Sequence, residues 1–197
     1  MFRNVLLRLQ HSGLRNIPGI VALYNRLYSL LIRIRSRRLV VKVDGQEILV
    51  DRDDLGVSRR LLLFGDHLPH VTRFMKREIK EGMIVVDVGA NIGYNTLLAS
   101  QRVGASGHVY AFEPDPRTFE LLAQNISRNR HENTTVVNKA LSNTPGTLTV
   151  HLDKRYLSST SISKNNIHKN LGEHSRYGSQ MVVETTTLDA FLHDTGE

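Results

Sequence analysis

Asp87, Gly89, Asn91 and Gly93 fall within seven residues of one another, and Glu113 follows twenty residues after Gly93. Together they could hold a small charged molecule. The stretch VVDVGANIGYNTLLAS (85–100) passes from β-branched apolar residues through an acid into a glycine turn and a helix-like tail. A strand ending in such a turn and opening a helix collects backbone N–H groups and the positive end of the helix dipole at one spot. A dinucleotide turn wants G-x-G-x-x-G, whose middle glycine lets a pyrophosphate approach the backbone. Here the turn reads Gly89-Ala90-Asn91-Ile92-Gly93, with Asn91 at that middle place, and no Walker sequence follows.

Asp87, two residues ahead of Gly89, repels a diphosphate and favours a cationic group such as an ammonium or sulfonium. Glu113, at the end of the next strand, stands where a carboxylate accepts both ribose hydroxyls. The pair describes a pocket for an adenosyl group without phosphate, as in S-adenosyl-L-methionine. Asn91 and Asp87 both count against a nicotinamide dinucleotide.

The elements that must position these residues alternate. The expected order is a strand over 83–88, a helix over 94–102, a strand over 108–112, a helix over 116–129 and a strand over 134–139. That alternation predicts right-handed crossovers and a parallel sheet, hence an α/β Rossmann-like, doubly wound fold. The strands at 85–88 and 109–112 read as continuous apolar runs, as when helices cover both faces. Asp115-Pro116 gives the second helix an N-cap and a first-turn proline. TLTVHL (147–152) and MVVETTT (181–187) are further strands around a polar loop that includes LSSTSIS (157–163).

Ahead of this core, LVVKVDGQEILV predicts a β-hairpin turning at Asp44-Gly45. Residues 58–82 carry helical spacing at Leu68, Val71, Phe74, Met75 and Ile79, with Gly82 as the stop. The organisation is thus a basic amphipathic segment over 1–38, an accessory hairpin and helix over 39–82, and a Rossmann-like domain over 83–197.

The net charge of +7 resides in the front end: residues 1–38 hold eight of the 26 basic residues and no acid, so the remaining 18 face 19 acidic residues. A near-neutral body argues against nucleic acid as a partner, because a phosphate-binding groove belongs in the fold itself. The apolar stripe within 20–38 is interrupted by Asn25 and Arg26, too short to span a bilayer. It either lies peripherally on an anionic membrane surface or packs as a cap on the domain or a second chain. Zero cysteines exclude disulfides and thiolate catalysis and fit a reducing, cytoplasmic setting. His67 and His70 lack a carboxylate motif, so no metal site is expected and the pair is read as helix-entry packing. The oligomeric state is left open.

DVGANIGYNTLL, VYAFEPDP, VVNKALSNTPGTLTV and TTTLDAFL, in this order, resemble the FkbM-type family of S-adenosylmethionine-dependent methyltransferases over residues 64–192. The resemblance implies that Asp87 and the turn residues Gly89, Ala90, Asn91 and Gly93 line the methionine end of the cofactor. It implies that Glu113 holds the ribose and that Lys139-Ala140 meets the adenine edge. The implied reaction is methyl transfer to oxygen, with a small-molecule, sugar or glycan hydroxyl as acceptor. In the family a further central strand with a K-I-D-V-E-G-like block follows the TLDAFL helix, whereas this sequence stops at Glu197. The expectation is therefore a C-terminally truncated product with no assignable catalytic base. The alternative is a non-catalytic cofactor-binding remnant attached through its basic segment. With the third strand pairing the second and the second the first, the strand at 85–88 is expected to become an apolar edge.

Overall fold

The computed structural model describes residues 37–153 and 177–195. Residues 1–36 of the basic segment over 1–38, and the serine-rich loop over 157–163, lie outside the described residues.

Strands β1 (Arg38–Val43) and β2 (Gln46–Asp51) form the expected antiparallel hairpin. Both turn residues take positive φ, Asp44 at 50° and Gly45 at 83°, as a two-residue hairpin turn matched to strand twist requires. The single helical stretch expected over 58–82 is instead two helices, α1 (Val57–Phe64) and α2 (Pro69–Glu78). Gly65 caps α1 in the left-handed conformation, and Pro69 can only begin a new helix. Ile79 lies just past α2, packed with Met75 against Ala99, Val103 and Val109. Phe74, expected on the buried stripe, is 56% exposed.

The parallel sheet follows the predicted alternation. Strand β3 (Ile84–Val88) leads into α3 (Tyr94–Val103), β4 (His108–Phe112), α4 (Pro116–Asn129) and β5 (Thr134–Val137), with β4 in the middle. Register sets Val88 beside Phe112 and Phe112 beside Val137. Strand β5 ends at Val137, two residues earlier than predicted. Beyond it, the Asn138 side chain donates to the Glu113 carbonyl at 2.7 Å, and the chain crosses to β6 (Ala140–Leu141). Strand β6 joins β8 (Tyr177–Thr186), which pairs antiparallel with β7 (Gly146–Asp153). Helix α5 (Leu188–Thr195) sets Phe191 edge-on to Tyr110 and Phe112, covering that face of β4.

The expectation that helices bury both faces of β3 is not met. Among the described residues β3 pairs only with β4, and Ile84 and Val88 are 57% and 62% exposed. Val85 packs with Ala99 and Val103 of α3.

One core joins the hairpin to the α/β body: Ile48 and Val50 pack with Ile92, Leu97, Leu121, Leu122 and Ile126. Asn125, fully buried on α4, fastens this layer. Its Oδ1 accepts the Leu49 N–H at 2.6 Å, and its Nδ2 donates to the carbonyls of Leu49 (3.0 Å) and Ile92 (2.7 Å). One helical turn on, Asn129 makes the same reciprocal pair with Glu47. Two asparagines on α4 thus satisfy alternate backbone groups of β2, as a neighbouring strand would.

Candidate functional site

A cleft of about 350 Å³ opens at the carboxyl ends of β3 and β4, where open α/β sheets bind ligands. The turn after β3 forms one wall. Gly89 and Ala90 both donate their N–H to the Phe112 carbonyl at 2.9 Å, folding the turn back over β4. Gly89 and Asn91 adopt positive φ of 78° and 53°, and the Asn91 side chain accepts the Ile92 N–H at 2.9 Å. Asparagine is the residue that tolerates this conformation best after glycine.

Of the residues expected to meet a cofactor, Gly89, Ala90, Asn91, Glu113 and Ala140 line the cleft, as does Lys139. Asp87 and Gly93 are not on its wall. Asp87 Oδ2 accepts a 2.6 Å hydrogen bond from Thr96 Oγ1 behind the turn. Burial pushes its carboxyl up, and the Thr96 bond partly offsets that. Gly93, at φ 88°, faces α4: a Cβ there would stand 2.8 Å from Leu122 Cδ1. Its glycine serves helix packing.

Glu113 is 5% exposed and already engaged. Its Oε2 accepts the Asn91 N–H at 2.8 Å and its Oε1 the Asp115 N–H at 2.9 Å. Burial raises its pKa, while those amides and Thr118 work in the opposite direction. Each carboxylate oxygen retains acceptor capacity beyond its one bond. Asp115 caps α4 through the Arg117 N–H at 3.0 Å, as predicted.

The cleft is also lined by residues that precede the motif and were not foreseen: Val57, His67 and Leu68. His67 does sit at the entry to α2, and it also lines the cleft; His70 is exposed on α2. The loop carrying His67 is pinned. Asp66 Oδ1 accepts from Tyr94 Oη (3.1 Å) and Thr72 Oγ1 (3.0 Å), and the His67 carbonyl accepts from Arg60 Nε at 2.6 Å. Burial pushes the Tyr94 phenol up to about 12, so it is a neutral donor. Leu148 and Val150 of β7 add apolar wall, which the alternation in TLTVHL signalled without saying what it would face.

The volume lies within the usual range for ligand pockets, and Glu113 places a carboxylate on the wall. Among the described residues, Lys139 is the sole lysine or arginine on the wall, and it is paired with Glu184 at 3.3 Å.

Comparisons with known proteins agree in kind. The profile of the methyltransferase FkbM domain matches residues 87–197. A protein-L-isoaspartate O-methyltransferase of Methanothrix thermoacetophila is 35% identical over 71 residues, 35% of this chain and 34% of that protein. The hexuronic acid methyltransferase AglP of Haloferax volcanii is 38% identical over 58 residues, 29% of this chain and 23% of that protein. The chain thus spans about a third or less of the length of these two curated relatives. Among solved structures, TYW2 of M. jannaschii in complex with AdoMet is 23% identical with a TM-score of 0.43, covering 52% of this chain and 43% of that one.

Proposed function

The chain belongs to the FkbM methyltransferase family, and from that premise we propose that it transfers the methyl group of S-adenosyl-L-methionine to a hydroxyl oxygen of a sugar, glycan or small natural product. One observation carries the reading: the Glu113 carboxylate and the glycine turn after β3 share one wall of the cleft, joined by the 2.8 Å bond from the Asn91 N–H. The likeness to a hexuronic acid methyltransferase supports a saccharide acceptor.

In this reading Glu113 accepts the ribose hydroxyls, and Lys139 and Ala140 flank the adenine edge. The turn Gly89–Ala90–Asn91 and the first turn of α3 receive the amino-acid end. When bound, the cofactor supplies a methyl group made electrophilic by its positive sulfur. The chain's own contribution is mainly positioning. Val57, Leu68, Leu148 and Val150 present apolar surface that excludes water from the reacting atoms. Asp87, one layer behind the turn, acts on a cationic occupant through its field.

Calorimetric titration tests the reading. Heat is expected with S-adenosyl-L-methionine and with S-adenosylhomocysteine, and none with NAD. Folded protein that binds NAD and neither adenosyl compound overturns it.

A further inference from the structure

We propose that His67 is the catalytic base of this site, taking the proton of a hydroxyl acceptor as the methyl group moves. The inference rests on the cofactor reading above.

Two geometric facts lead to it. His67 is part of the cleft wall, and its Nδ1 is sealed from solvent with no hydrogen-bond partner, so Nε2 is the nitrogen that would meet an acceptor. Buried polar atoms are nearly always satisfied, and an exception at a cleft residue points to a function for its ring. The loop that carries it is pinned, because Asp66 is tied to both Tyr94 and Thr72 and the His67 carbonyl to Arg60. The bond from Tyr94, the first residue of α3, ties this loop to the helix that opens after the glycine turn, and His67, Tyr94 and Asn95 line the same cleft.

The electrostatics favour the free base. Burial lowers the His67 pKa first and the Arg60 guanidinium second, while Asp54 and Asp66 pull upward and do not prevail. The neutral Tyr94 phenol adds no charge. A neutral imidazole near pH 7 is ready to accept a proton. That property matters for a hydroxyl, which must lose its proton, and not for a carboxylate, which has already lost it. The group therefore deepens the acceptor assignment toward alcohols. In the step, the acceptor oxygen forms its bond to the methyl carbon while the carbon–sulfur bond breaks with its electron pair onto sulfur. The hydroxyl proton passes to the imidazole and then to solvent.

The test needs no acceptor. The histidines of the full chain are labelled with ¹⁵N, the His67 signals are assigned from the His67→Gln variant, and their titration is followed in the S-adenosyl-L-methionine and S-adenosylhomocysteine complexes. If His67 faces the transferred methyl group, the sulfonium complex titrates roughly one pH unit lower than the neutral thioether complex, since a like charge within several ångströms disfavours protonation. His67→Gln is expected to melt like the wild type and to keep its cofactor affinity within about threefold. Equal midpoints in the two complexes overturn the proposal and leave the cofactor reading standing. More than about tenfold loss of cofactor affinity in His67→Gln makes the residue a cofactor ligand and also overturns it. Failure of both adenosyl compounds to bind the wild type overturns the cofactor reading and this proposal together.

Discussion

Glu113 Oε2 accepts the backbone N–H of Asn91 at 2.8 Å, tying the end of β4 to the turn after β3 across 22 residues. The same carboxylate holds the Asp115 N–H at the head of α4. A single side chain therefore fixes the two loops between which a ribose would lie.

Glu113→Gln sets an amide N–H₂ against one of those two backbone donors. A buried donor left without an acceptor costs about 1–3 kcal/mol, so the variant should unfold at lower denaturant by that amount. Its affinity for S-adenosyl-L-methionine should fall more than about tenfold, because the ribose loses the same acceptor. Wild-type affinity in a folded variant would remove Glu113 from the site.

Glycines 89 and 93 should respond differently to alanine. Both have positive φ, so each substitution carries conformational strain of about 1 kcal/mol. Only Gly93 adds a clash, with Leu122 Cδ1 at 2.8 Å from the new Cβ. Overpacking adds about 1–3 kcal/mol. Gly93→Ala should be the more destabilised in urea, and Leu122→Ala should be less costly in its background than alone.

Asp87 should make stability depend on pH in a defined direction. Its folded-state pKa is raised above 3.8 by burial, so the native state keeps this proton longer than the unfolded chain. The group's contribution is greatest below pH 3.8 and declines as pH rises through the folded value. Asp87→Asn should therefore gain stability relative to the wild type between pH 4 and pH 7. Thr96→Val removes the bond that favours the charged form, so it should lose about 1 kcal/mol at pH 7 and less at pH 4. Melting both variants across that range checks the sign.

Asn125→Leu removes a side chain that makes three buried bonds to Leu49 and Ile92. With two or three backbone groups orphaned, a loss of about 3 kcal/mol is expected. Asn129→Ala, half-buried on the same face, should lose less. Equal losses would mean that the asparagines do not act as a substitute strand edge.

Tyr94→Phe breaks the lock on Asp66. A loss of about 1 kcal/mol is expected, with faster amide hydrogen exchange across residues 66–68 and little change in β4. Unchanged exchange would show that Thr72 alone secures the loop.

What the sequence determined by itself was local. Strands and helices from β3 to α4 follow from unbroken apolar runs, an Asp-Pro helix start and glycine stops, and each signal acts within a few residues. The hairpin at Asp44-Gly45 and the turn chemistry at Gly89–Gly93 were legible for the same reason. The two-helix form of 57–78 was written in Gly65 and Pro69 but masked by continuous apolar spacing across both. Tertiary structure alone decided which side chains share a space. It set Asp87 against Thr96 and Gly93 against Leu122, both off the cleft wall, and it brought His67 from upstream onto that wall. It also gave Asn125 and Asn129 to the hairpin. Sequence spacing carries the period of an element, whereas the partner of a side chain depends on how elements cross, and that is fixed only when the whole core packs.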